Sequence, residues 1–216
     1  MRKGLAISAV VVAGLAVTVT SAAPAAAGSR PVREPDGVTV EIVGYYGSGC
    51  PTGTVWAAIL SDNKRLSVHY EGPLAQTGGS SHPLDRRKTC KVVLKLIVPK
   101  GFTYAISSSS NAGDAFMEEG AYATVKLGHF FQESTPSEVT HTIYGPFGDR
   151  WRFADRPPSD SIIWKPCNVD WNLNFTSDLQ AYQGSSEPSK ISYISMETED
   201  ASSHHHLYDL AWKTCP

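Results

Sequence analysis

Helical patterning, a long apolar run beyond the N-terminal segment, and cysteines at C-x-x-C spacing are all missing from this 216-residue chain. No stretch carries an apolar stripe at the 3.6-residue period, which excludes a helical bundle and an α/β fold with crossover helices. After residue 27 nothing is apolar for long enough to cross a bilayer as a helix, so no span is expected in the mature protein. The absence of C-x-x-C argues against zinc or thiol chemistry. Basic residues are scattered, and the densest group, Arg86-Arg87-Lys88 with Lys91 and Lys95, is too small for a nucleic-acid surface. Neither Gly47-Ser48-Gly49 nor Gly78-Gly79-Ser80 supplies the G-x-S-x-G of a nucleophile elbow. No cofactor loop is present, and no cofactor is expected.

What is there begins with a leader. Arg2 and Lys3 precede an apolar stretch from Leu5 to Val19, and Ala25-Ala26-Ala27 before Gly28 offers a small-residue cleavage site. This is the form of a signal peptide over residues 1–27. An uncleaved anchor is the competing reading, and the Ser21-Ala22-Ala23-Pro24 tract that leads into the alanines favours removal. The chain holds 19 basic and 21 acidic residues, and the leader contains two of the basic ones, so the mature chain stands at a net charge of −4. Residues 28–37 are polar and proline-bearing and are expected to form a flexible leader to a single domain over 38–216.

Four cysteines, Cys50, Cys90, Cys167 and Cys215, in an exported chain imply two disulfides. Three pairings are possible. The simplest joins Cys50 to Cys90 and Cys167 to Cys215, each bridge closing a loop of ~40–50 residues and contributing about 4 kcal/mol.

Periodicity then points to strands. Val38 to Val43 alternates as V-T-V-E-I-V, Leu66 to Tyr70 alternates, and Cys90 to Val98 reads C-K-V-V-L-K-L-I-V before Pro99 and Gly101. Phe102 to Ser108, Ala121 to Phe131, Val139 to Tyr144, Trp171 to Tyr182 and Ile191 to Thr198 continue the β-branched and aromatic enrichment. In His204 to Trp212 the residues His204, His206, Tyr208, Leu210 and Trp212 share one side. Turn chemistry lies between, and Gly72 to Lys88 reads as one long polar loop. Many short strands without helices predict an all-β, antiparallel β-sandwich, with a closed barrel as the alternative.

Chemistry-bearing candidates are few. His204 and His206 alternate on a strand and, with Glu199 or Asp200, invite a metal reading. Two histidines do not make a ligand set, and an exposed polar strand entry is the expectation, with no native metal. Glu118-Glu119 and the Glu197, Glu199 pair read as solvated charge rather than a glycosidase dyad, which needs carboxyls facing across a substrate. Sugars stack on exposed rings, which makes Tyr45, Tyr46, Trp151 and Trp171 the candidate ligand-binding residues, beside Phe130-Phe131 near a strand end. Trp164 and Trp212, each three residues before a cysteine, are expected to pack on the disulfides. Asn174-Phe175-Thr176 matches the N-glycosylation sequon and is expected to be unused.

The motifs around the cysteines also form an ordered set. Gly49-Cys50-Pro51-Thr52-Gly53-Thr54 is followed by Asp85 to Cys90 (D-R-R-K-T-C), Val98-Pro99-Lys100-Gly101-Phe102 and Gly145-Pro146-Phe147. Trp164-Lys165-Pro166-Cys167, Leu173-Asn174 and Trp212-Lys213-Thr214-Cys215 complete it. From about Gly47 to Cys215 this order resembles the DUF4360 family, whose members look like small secreted proteins of bacteria and fungi. The resemblance implies location and general form and supplies no catalytic residues. The triplet His204-His205-His206 is not part of the family pattern. The combined expectation is a secreted, non-enzymatic domain that binds or builds at or outside the cell surface. A carbohydrate- or cell-wall-binding module is the second reading and a secreted hydrolase the third. The expected partner is an extracellular polysaccharide or a surface component, not nucleic acid.

Overall fold

The computed structural model describes residues 33–60, 63–72, 74–196 and 206–216. The signal peptide read over 1–27 lies outside them, as do His204, Glu197, Glu199 and Asp200. Of the leader expected at 28–37, residues 33–37 are described and contact the domain: Pro35 O accepts from Asn63 Nδ2 at 3.1 Å, and Glu34 faces Lys64 at 3.7 Å.

Among the described residues twelve strands build two antiparallel sheets, as the alternation predicts, and there is no α-helix. The first sheet has the order β1 (Thr39–Tyr46), β5 (Arg87–Ile97), β10 (Leu173–Tyr182), β7 (Tyr122–Phe131), β8 (Ser137–Tyr144). The second is organised around β6 (Phe102–Met117). Along one edge of β6 lies β12 (His206–Thr214), which leads on to β3 (Arg65–Tyr70) and β2 (Val55–Ile59). Farther along the same edge is β11 (Ser192–Ser195), which carries β4 (Leu74–Thr77). The opposite edge of β6 pairs with β9 (Phe147–Asp155).

The core is the space between the sheets. In β5, Cys90, Val92, Leu94 and Leu96 point inward. Leu173, Phe175, Leu179 and Ala181 do so in β10, and Leu66, Val68 and Tyr70 meet them from β3. In β12 the side chains of His206, Tyr208, Leu210 and Trp212 are all buried, the face the sequence assigned to them. The disulfides are Cys50–Cys90, which ties the segment after β1 to β5, and Cys167–Cys215, which ties the β9–β10 connection to the chain beyond β12.

Two bulges decide which residues face in. Pairing jumps from Ile42 to Gly44 in β1, so Val43 is the extra residue; Val40 packs inward before it and Tyr45 after it. In β6, Ile106 pairs with Leu210 and Ser108 with Asp209, leaving Ser107 between. Before this bulge the side chains in the hydrophobic core are Tyr104 and Ile106; beyond it they are Ala115 and Met117.

Three strands were not visible in the sequence pattern: β2, β4 and β9. The polar stretch 72–88 is not a single loop, since it contains β4 and a 3-10 turn at Pro83–Arg86. Gly78 makes the corner, with φ +83° and Lys190 O only 1.9 Å from where a Cβ would stand. Trp212 packs against the Tyr104 ring at 5.8 Å and donates Nε1–H to Asn63 O at 3.1 Å, while Trp164 carries Lys213 Nζ 3.8 Å over its ring. Asn174 of the sequon is buried in β10.

Candidate functional site

The edge of β6 that β9 covers is paired only from Ser109, which sits opposite Asp155. The next partner toward the N-terminus is Trp164, bridged to Ala105. Between them, at residues 106–108, the sheet edge has no strand partner among the described residues, and here the sandwich opens. A cleft of about 220 Å³ enters between the sheets, its depth lined by Ile106, Leu127, Val139 and Tyr208 and its mouth by Ser108, His129, Glu138 and Arg156. A groove of about 320 Å³ on the outer side shares Ser108, Ser109, Asp155 and Arg156 with it and adds Arg65, Ser110 and Asp209. The bulge at Ser107 therefore sits at the opening, where it turns the following serines relative to the core.

The polar groups around the mouth are held in place by one another. Ser108 Oγ donates to the Asp209 carboxylate, and Ser107 Oγ donates to Asp209 O at 3.2 Å. Asp155 Oδ2 lies 3.0 Å from His141 Nε2, and the His141 ring stacks on Phe153 with centroids 4.0 Å apart and planes 4° from parallel. Glu138 pairs with Lys126 at 2.6 Å. Burial pushes the His129 imidazole down to about 4, so this ring is neutral at ordinary pH. No serine hydroxyl is hydrogen-bonded to His129 or His141 among the described residues. The mouth thus offers fixed hydroxyls, carboxylates and a guanidinium without a nucleophile set against a base.

Behind the mouth lies a buried polar group of four residues. His206, wholly enclosed, has Nδ1 3.1 Å from Asn111 Oδ1 and Nε2 3.0 Å from Met196 O; Tyr208 donates to the same Asn111 oxygen at 3.3 Å, and the Tyr70 ring meets His206 edge-on at 5.1 Å. The expectation of an exposed strand entry at His206 is corrected: both ring nitrogens face protein oxygens in the core and neither is presented to a solvent metal. Among the described residues no group of three or more His, Cys, Asp or Glu side chains is arranged to hold a metal.

The aromatic candidates do not converge. Tyr45, turned inward by the Val43 bulge, packs against the core and accepts from Gly53 N through its hydroxyl. Trp151 is 3% exposed, which corrects the expectation of a projecting ring: it lies on the inner side of β9 and donates Nε1–H to Ser195 O at 3.0 Å. Trp171 is half-buried against the core, and Phe131 is buried. Tyr46 is 58% exposed, with Lys91 Nζ 5.7 Å over its ring and 5.0 Å over that of Phe130. A row unseen in the sequence, Tyr182, Tyr122 and Tyr144, runs in register across β10, β7 and β8. Tyr122 and Tyr182 stack face to face at 4.4 Å and 8°, so each covers a face that a sugar would need. Glu118 pairs with Lys190 at 3.3 Å.

Sequence reading missed the mouth because its residues come from β3, β6, β7, β8, β9 and β12 and share no linear spacing. The one available signal was the run Ser107-Ser108-Ser109-Ser110 between apolar strand residues, a hydroxyl-rich interruption that a core strand does not need.

A family model described as "Domain of unknown function (DUF4360)" matches residues 36–215. A curated relative, an "Uncharacterized secreted protein" of Arthroderma benhamiae, is 30% identical over 148 residues, which is 68% of this chain and 60% of the relative. The chain therefore spans about 60% of the length of that relative. Among solved structures, TmCBM61 in complex with beta-1,4-galactotriose is 9% identical, covering 85% of this chain and 92% of its own, with a TM-score of 0.29. A likeness at that level carries no weight for fold or ligand.

Proposed function

The chain belongs to the DUF4360 family, and from that membership together with the open cleft we propose that it is a secreted, non-catalytic binding protein. It takes a polyhydroxylated extracellular polymer or surface component at the mouth beside Ser108 to Ser110. The observation that carries this reading is the chemistry of the mouth: serine hydroxyls, two aspartates and two arginines stand at a gap in the sheet, in the mix of donors and acceptors that vicinal hydroxyls require. The aspartates are already engaged, Asp155 by His141 and Asp209 by Ser108, which suits holding a ligand better than moving protons. Two disulfides and a relative named as secreted support the location outside the cell.

The test is retention of the purified protein on a panel of insoluble polysaccharides and cell-wall preparations, with turnover of glycosides, esters and peptides followed in parallel. Retention that Ala154→Trp abolishes by filling the groove, without turnover, is the expected result. Turnover above a heat-treated control and lost in Asp155→Asn would replace this reading with that of a hydrolase.

A further inference from the structure

Several described lysines and arginines are engaged where they stand. Arg87 grips Asp178 with contacts of 2.6–3.1 Å, Lys95 meets Asp170 at 2.6 Å, Lys126 meets Glu138 at 2.6 Å, and Lys91 and Lys213 lie over aromatic rings. Arg152 and Arg156 depart from this pattern. Both are exposed, and neither has an acidic partner among the described residues. They flank Ala154 at alternate, outward positions of β9 and its continuation, so the two Cα atoms are about 13 Å apart. Arg150, one step earlier on the same side, reaches Asp114 only at 3.9 Å. The ladder at the groove is small: Ser110 pairs with Ala154, and both line it.

The acids at this groove do not cancel the surplus. Asp155 is held by His141, and Asp209 receives the Ser108 hydroxyl and sits opposite Arg65 in the β3–β12 ladder. Arg156 therefore lines a floor of hydroxyls with no acid against it among the described residues, Arg152 stands four residues before it on the same side of β9, and a guanidinium fork fits a carboxylate or phosphate bidentately. We infer that the ligand of this groove is an anionic polyol polymer, a glycan bearing uronate carboxylates or a polyol joined by phosphodiesters. This rests on the binding function proposed above and names its ligand class. Asp155 and Asp209 accept sugar hydroxyls, and two unmatched cations are far fewer than the roughly six to ten phosphate contacts of a DNA-binding surface.

The experiment measures binding of the purified full chain to polygalacturonate, to a poly(glycerol phosphate), to a neutral β-glucan and to single-stranded DNA. Retention on one or both of the first two, weakened by raising salt from about 50 mM to about 0.5 M, is expected, and the arm that binds identifies the acid. Arg152→Gln/Arg156→Gln should lower that affinity about tenfold or more with an unchanged melting temperature. Arg86→Gln, on the 3-10 turn away from the groove, should leave it as it was. Equal binding to the neutral glucan, insensitive to the double variant, overturns the inference and leaves the proposed function standing. DNA binding as tight as that of the acidic glycans overturns it as well, and no retention on any polymer overturns both.

Discussion

His141 Nε2 lies 3.0 Å from Asp155 Oδ2, and the pair reaches from edge strand β8 of one sheet to the last residue of β9 in the other. It joins the two layers beside the cleft, where the strand ladder on β6 stops. Both side chains are about one quarter exposed, 22% and 24%, so the contact is screened only in part. A double-mutant cycle of His141→Ala and Asp155→Ala in urea should give a coupling of about 0.5–1 kcal/mol. Additive single effects would show that the layers are held at this point by packing alone.

Acid should weaken the fold through His129. Its folded value, about 4, lies below the ordinary histidine value of 6.5, because charging it means burying a cation. Between those two values the unfolded chain binds the proton and the folded one does not. The contribution is thus complete above pH 6.5, is lost as pH falls toward 4, and changes no further below that. Urea midpoints should drop across this window by the equivalent of about 3 kcal/mol. His129→Gln should remove most of that slope, and an unchanged slope would place the acid sensitivity in other groups.

Tyr104 is enclosed and its hydroxyl has no hydrogen-bond partner among the described residues, while the rings of Phe131 and Trp212 pack around it. An unsatisfied buried hydroxyl costs about 1–3 kcal/mol. Tyr104→Phe is expected to raise stability by about 1 kcal/mol, a rise of about 2–4 °C in Tm. Tyr208→Phe removes the bond to Asn111 and should go the other way by a similar amount. Thermal melts of the two variants beside the parent decide it, and a Tyr104→Phe protein less stable than the parent would be the contrary outcome.

Gly113 lies opposite Trp151, and a Cβ there would stand 2.0 Å from Ser195 O and 2.6 Å from the indole ring. Gly113→Ala should cost about 3 kcal/mol or more, because backbone and a packed ring must both move. Gly148→Ala, whose Cβ meets nothing closer than 3.4 Å, is the control and should cost far less. Equal denaturation midpoints for the two variants would contradict the packing described.

The class of fold was legible because β5, β7, β10 and β12 keep one parity from end to end, so inward residues recur every second position in the sequence itself. The two bulges hid the rest. One extra residue at Ser107 reverses which side of β6 faces in, so alternation read from Phe102 to Ser108 cannot be extended to Met117. The same reversal at Val43 turned Tyr45 from a solvent candidate into a packed ring. β9 escaped notice because arginines alternate with Trp151 and Phe153 right after a Gly-Pro turn, a pattern that reads as exposed loop until a partner strand is known. The site stayed hidden for a different reason: its groups meet only through tertiary pairing, which leaves no periodic trace.

β12 is the last strand among the described residues, yet it occupies an interior place, between β3 and β6. Its partners begin near residue 65 and residue 102, so most of its pairings close loops of roughly one hundred residues or more, which sets a high contact order and slow folding. Until residues 206–214 are available, β3 and β6 each present a bare edge and the second layer has no middle. The second sheet is therefore completed only when that strand pairs, whereas the first sheet, β1-β5-β10-β7-β8, does not depend on it.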